Sequence, residues 1–81
     1  MVDVALEEAL EHLVRGIVDH PDAVEVEIVE AGEETLFELH CAESDRPHVI
    51  GKQGRTARAL RLALSAAARK HGRDADLDIT D

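Results

Sequence analysis

Apolar and polar positions follow three successive rhythms along this chain. Leu6, Ala9, Leu10, Leu13, Val14, Ile17 and Val18 recur at helical spacing and make one apolar stripe. The pattern predicts a first helix with Asp3 as its N-cap, Glu7 and Glu8 at the positive end of its dipole, and an end at His20-Pro21. Gly16 weakens that helix and marks a close contact with a neighbouring sheet. The period then drops to two. Val24, Val26 and Ile28 alternate with Glu25 and Glu27, and Phe37, Leu39 and Cys41 alternate with Leu36, Glu38 and His40. These are two half-buried strands of a hairpin, turned at Ala31-Gly32-Glu33-Glu34.

Helical spacing returns in the second half. A short helix is expected over residues 44–50, capped by Ser44 or Asp45, with Pro47 tolerated in its first turn. After Gly51-Lys52-Gln53-Gly54 a long helix runs over residues 55–71 until Gly72. Ala75, Leu77 and Ile79 then alternate with Asp74, Asp76 and Asp78 as a closing strand. The order is α-β-β-α-α-β, an α+β fold in a single domain over residues 1–81, with no linker or internal repeat. Turning the long helix at about 100° per residue puts Ala57, Leu60, Leu64, Ala67 and His71 on a core face. Arg55, Arg58, Arg69 and Arg73 fall opposite, with Arg61 at the boundary. Ala59, Leu62, Ala63 and Ala66 form a second, small apolar strip. Leu62 is then either a lone exposed leucine or a contact for a partner helix.

Composition narrows the options. A chain of 81 residues buries only about 60% of its unfolded surface, so its core is thin and a second subunit would help it. The one aromatic residue, Phe37, excludes base stacking on aromatic platforms as a main binding mode. Cys41 is alone, which rules out an internal disulfide and suits a reducing cytoplasm; its strand position predicts a buried, structural thiol. No stretch reads as a signal peptide or a membrane span, so a cytoplasmic protein is expected.

Charge changes the picture more. The net charge is −9, yet residues 46–73 hold eight of the nine Lys and Arg residues and none of the 18 Asp and Glu residues. That stretch carries +8, and the rest, one base against 18 acids, carries −17. A polyanion responds to the patch it meets before it responds to the total. Within the patch, Gly51 and Gly54 let a ligand approach the main chain, and the loop feeds into a helix N-terminus whose N–H groups and dipole favour anions. Lys52, Arg55 and Arg58 add mobile positive charge. These features describe a phosphate-backbone site. A nucleotide-triphosphate loop would need Gly at position 46 and Ser or Thr at position 53, where Arg and Gln stand. Aspartate at both glycines reads as a mild test of the site, since carboxylates suit a helix N-terminus.

Val49-Ile50-Gly51-Lys52-Gln53-Gly54-Arg55-Thr56 resembles the signature of the KH domain, and the element order matches its bacterial type II arrangement. Residues 13–21 and 54–61 resemble recurring stretches of the small single-KH bacterial RNA-binding proteins of the KhpA type, and the resemblance covers the whole chain. It implies a three-stranded mixed sheet with the helices on one face. It implies single-stranded RNA in a cleft between the loop and the second strand, with Val49 and Ile50 as an apolar floor and Lys52 and Gln53 on the backbone. With Arg55 and Arg58 from the charge pattern, this gives Val49, Ile50, Gly51, Lys52, Gln53, Gly54, Arg55 and Arg58 as the expected RNA contacts. A non-catalytic RNA chaperone or post-transcriptional regulator follows, with no cofactor. The resemblance also implies self-pairing, or pairing with a larger KH-containing protein, KhpB, and so gives Ala59, Leu62, Ala63 and Ala66 a use. A protein-interaction adaptor working through that strip is the alternative. The family commonly has Gly and a basic residue where Pro47 and His48 stand.

Other constellations carry less. His12, His20, His40, His48 and His71 lack metal-ligand spacing. Asp74, Asp76 and Asp78 read as a solvated strand face. No Ser, His and Asp arrangement marks a nucleophile and its base, so no enzyme is expected.

Overall fold

A computed structural model of the protein describes residues 2–31 and 33–80. The elements are α1 (Val2–Arg15), β1 (Glu25–Ala31), β2 (Glu34–His40), α2 (Arg46–Ile50), α3 (Arg55–Lys70) and β3 (Asp74–Thr80). Short 3-10 turns stand at Pro21–Ala23, Glu43–Asp45 and Lys52–Gly54. The sheet order is β1-β2-β3: β1 is antiparallel to β2, and β3 is parallel to it, with Phe37 opposite both Ile28 and Leu77. This is the expected α-β-β-α-α-β fold with a mixed sheet. The hairpin turn falls between Ala31 and Glu34, where Gly32 lies outside the described residues.

The helices cover one face of the sheet. Val24, Val26, Phe37, Leu39 and Leu77 meet Leu10, Val14, Val49, Leu60 and Leu64 in one buried cluster, which Cys41 joins. Complete burial of a side chain such as Phe37 or Leu39 stabilises by about 1.5–3 kcal/mol, so the thin core rests on few residues. The other face is acidic. Register places Glu27, Glu38 and Asp78 side by side across the three strands. Like charges directly opposite one another destabilise a sheet. The aspartates of β3 therefore belong to a larger acidic face that their own spacing does not reveal.

The helix ends differ from expectation for reasons that lie far away in sequence. Asp3 is not a cap: it sits in the first turn of α1 and holds Arg73 at 2.9 Å. Arg73 also donates to the buried Thr35 hydroxyl at 3.4 Å, so it joins α1 and β2 at the start of β3. The helix stops at Arg15, not at Pro21. The N–H groups of Gly16 and Ile17 tighten onto Leu13 and Val14, and Gly16 faces only carbonyls of its own helix. Farther on, the Asp45 carboxylate pulls the chain off the helical path. It accepts the N–H of Asp19 at 3.1 Å, the N–H of His20 at 2.9 Å, and contacts His20 Nδ1 at 3.1 Å. Asp45 stands at the N-cap position of α2 but makes no side-chain cap there. α3 ends as its glycine predicts: Gly72 N–H bonds Arg69 O and Arg73 N–H bonds Ala68 O, the paired pattern of a Schellman motif.

Asp45 is 1% exposed. Burial pushes its carboxyl up, but the Asp19 and His20 N–H groups and the His20 ring outweigh it and hold the group below its ordinary 3.8. A lowered folded value means the clamp is fully present above the ordinary carboxylate range and is lost as pH falls through the folded value. Asp45→Asn should lower the melting temperature at neutral pH. It should also flatten the acid limb of the wild-type stability curve below about pH 4. Equal acid sensitivity in the two proteins, followed by circular dichroism, would show that Asp45 is not the titrating clamp.

Candidate nucleic-acid interface

Between α2 and α3 the chain reverses within four residues. Gly51 has φ 78 and ψ 172, and Gly54, the N-cap of α3, has φ 74 and ψ 15. Gln53 is left-handed too, at φ 57 and ψ 26. A non-glycine residue there costs on the order of 1 kcal/mol, and such outliers concentrate at ligand sites. No side chain caps α3 at Gly54, so the positive end of the helix faces outward through the loop. Lys52, Gln53, Arg55 and Arg58 are all exposed around it. Arg55 leans on the Gln53 amide oxygen at 3.5 Å, which orders the rim without neutralising it.

The two glycines differ. A Cβ at Gly51 would run into the Thr56 hydroxyl and approach the Thr56 Cβ and main-chain N to 2.8 Å. At Gly54 the nearest atom, 3.6 Å away, is the flexible end of Arg58. Aspartate is expected to cost little at either glycine unless φ is positive there; φ is positive at both, so each carries a backbone cost, and at Gly51 the Thr56 main chain adds a clash. Gly51 serves the α2–α3 packing; Gly54 is the open position.

Other expected site residues separate as clearly. Val49 is 0% exposed and belongs to the core, so it holds α2 down and offers no floor to a ligand; Ile50 beside it is half-buried. The core face of α3 is Ala57, Leu60, Leu64 and Ala68. Ala67 is half-buried and His71 exposed, because the helix ends at Lys70. Ala59, Leu62, Ala63 and Ala66 are all exposed, with Leu62 at 72%. Beside them Ala63 and Ala67 join Leu6, Leu10, Leu13 and Leu60 in an apolar groove between α1 and α3. Arg73 leaves the basic patch, since its guanidinium is engaged by Asp3.

Sequence reasoning missed three contacts. The Asp45 clamp ties the α1–β1 connection to the start of α2. Arg61 reaches back to β3, donating from Nε to Leu77 O at 3.2 Å. Two histidines also lie among carboxylates that linear spacing hides: His48 by Asp19 and Asp45, and His40 by Glu27 and Glu38. In the first group the Asp45 oxygens already hold main-chain N–H groups; in the second His40 Nδ1 is bonded to Thr80 Oγ1.

The sequence that folds into this arrangement matches a known family model. The model for the KhpA/KhpB KH domain aligns with residues 7–79. The chain belongs to this family. Relatives of the family carry the name RNA-binding protein KhpA. One from Halalkalibacterium halodurans is 47% identical over 89% of this chain and 95% of its own. One from Streptomyces coelicolor is 46% identical over 94% and 92%. One from Bacillus subtilis is 40% identical over the full length of both. Among solved structures, Aquifex aeolicus Era Y63A bound to GDP·AlF4− superposes with a TM-score of 0.64 at 17% identity. That match spans 93% of this chain but 29% of Era, and it concerns the fold alone.

The glycine geometry makes a ranked prediction. Gly54→Ala pays for left-handed backbone only, about 1–2 kcal/mol. Gly51→Ala forces a side chain into a backbone region essentially reserved to glycine, φ 78 and ψ 172, and adds overpacking against Thr56, for a total above about 3 kcal/mol. Urea unfolding measures both; equal losses would mean that Gly51 is not sterically required.

Proposed function

We propose that this KH-family protein binds single-stranded RNA without catalysis, taking roughly four nucleotides per domain along the loop and the first turns of α3. The observation that carries the reading is the uncapped N-terminus of α3 behind Gly54, ringed by exposed Lys52, Arg55 and Arg58. Three relatives named as RNA-binding proteins support it. Gln53 and Ile50 complete the proposed contact surface, and Gly51 shapes it. With this mode of binding the protein acts as an RNA chaperone or post-transcriptional regulator in the cytoplasm, where a single buried thiol at Cys41 is stable. No helix among the described residues is long and apolar enough to cross a membrane.

Phosphate contacts set the affinity, so log affinity for a short single strand should fall with log salt by about 0.7 per phosphate held. Lys52→Glu with Arg58→Glu should weaken binding at least about tenfold, or 1.4 kcal/mol, and flatten that slope. Both residues are exposed, so the melting temperature should hardly move. Unaltered binding by the folded double variant would remove the loop from the RNA surface.

Leu62 favours a second reading beside the first. Its 72% exposure, next to Ala59, Ala63, Ala66 and the apolar α1–α3 groove, suits pairing with a second copy or with a KhpB-type protein. Such a surface would also serve an adaptor that needs no RNA. Leu62→Glu should convert a dimer to a monomer in sedimentation velocity with an unchanged circular dichroism spectrum. A wild type that stays monomeric at high micromolar concentration argues against self-pairing.

A further inference from the structure

The face of the sheet that the helices leave open gathers side chains that the proposed RNA site does not use. Glu27 of β1 stands directly opposite Glu38 of β2, and His40 follows two residues later on the same face of β2. Each of the three offers one ligand atom, and these atoms lie within 4.8 Å of one another. His40 Nε2 is 3.7 Å from Glu27 Oε1, too long for a hydrogen bond. It is close to the spacing of about 3.4 Å that two donors keep when each sits about 2.1 Å from one tetrahedral ion.

The ring is held in place from β3. Thr80 pairs with His40 in register, and its hydroxyl donates to Leu39 O at 3.4 Å and meets His40 Nδ1 at 2.8 Å. A hydroxyl has one proton to give. With that proton on the carbonyl, the oxygen accepts from the ring, so Nδ1 carries the hydrogen and the Nε2 lone pair faces the carboxylates. Carboxylates repel a lone pair, and a cation between them reverses the repulsion. Metal-ligating histidines are oriented in this way, by an outer partner on the other ring nitrogen. Two glutamates directly opposite each other also destabilise a sheet, and a cation offsets that cost. The second histidine group differs: there the Asp45 oxygens already hold two main-chain N–H groups and the His20 ring.

We propose that Glu27, Glu38 and His40 form a site for a divalent transition-metal ion, with Zn²⁺ as the best fit. One nitrogen and two oxygen donors, with water in the fourth position, suit Zn²⁺ and its neighbours; Mg²⁺ and Ca²⁺ prefer oxygen donors. The Glu27 side chain is 63% exposed and swings aside to admit the ion to His40, which is 28% exposed. The bound ion clasps β1 to β2 and, through Thr80, steadies the end of β3, which adds a cross-link to a chain with a thin core. The site shares no residue with the glycine loop, so it stands or falls apart from the RNA-binding reading.

The test is a zinc titration of the full chain, by calorimetry and by thermal melting. One Zn²⁺ per chain is expected, with a melting temperature that rises with zinc concentration and no displacement by a large excess of Mg²⁺. Glu27→Gln deletes one donor and relieves the repulsion with Glu38, so the metal-free variant stays folded. Thr80→Val keeps all three donors and removes only the hydroxyl that orients the ring. Zinc affinity should fall at least about tenfold in each, an effect that diffuse attraction to an acidic face would not give for Thr80→Val. Asp19→Asn, in the other histidine group, should leave zinc binding unchanged. Wild-type affinity in Glu27→Gln or Thr80→Val, or a loss in Asp19→Asn instead, overturns the site. Nitrogen-15 NMR of the wild-type imidazoles reads the same point without a variant. His40 should carry its proton on Nδ1 before zinc is added, and its Nε2 signal should move on addition; a proton on Nε2, or an Nε2 signal indifferent to zinc, overturns the proposal as well.

Discussion

Parallel pairing of β2 with β3 is the constraint from which the rest of this structure follows. Two parallel neighbours cannot be joined by a tight turn, so residues 41–73 must leave one end of the sheet and return to the other. The crossover lays α2 and α3 over the apolar face of the sheet and supplies Val49, Leu60 and Leu64 to the core. A crossover of two helices has to reverse between them, and at Gly51 to Gly54 it does so in four residues. The loop that sits at the proposed binding site is thus first a topological necessity. Its openness to a ligand comes from the residues chosen for the reversal, with Gly51 tight against Thr56 and Gly54 free.

The same connection carries nearly all the positive charge. On the opposite face of the sheet Glu27, Glu38 and Asp78 stand in one row, while Lys52, Arg55 and Arg58 surround the loop. A phosphate at the loop therefore meets a locally cationic surface despite a net charge of −9. The acidic row destabilises the sheet locally, and it also gives RNA no second place to bind.

The element order was legible because periodicity is local. Alternation marked β1, β2 and β3, helical spacing marked α1 and α3, and Gly51, Gly54 and Gly72 marked where helices stop and start. What escaped were the partners that only the fold brings together. Asp3 read as a cap because nothing nearby in sequence announces Arg73, 70 residues on. Asp45 read as a cap because two of its partners, the N–H groups of Asp19 and His20, are main chain, and the third, the His20 ring, lies 25 residues away. Val49 read as a floor of the cleft because the resemblance assigned it with Ile50 as a pair, and the single turn of α2 is too short for periodicity to show that Val49 faces the core. The basic stretch was visible as a stretch; that Arg73 is taken up by the fold and Arg61 by the sheet edge was not.

These assignments divide the arginines of one stretch by what holds them. Arg73 is half-buried and donates both to Asp3, whose side chain is 13% exposed, and to Thr35. Its partners would be left unsatisfied if it moved to a ligand, and buried polar groups without partners are costly. Arg61 has one partner half open to water, Asp76, where an ion pair contributes little, and one on a buried residue, the Leu77 carbonyl, so it stands between the two cases. Arg55 and Arg58 are exposed around an uncapped helix end, where an anion is favoured. Availability to RNA therefore runs from Arg58 and Arg55, through Arg61, to Arg73, in the order in which desolvated partners accumulate. Charge count alone ranks the four as equals; the cost of freeing each one does not.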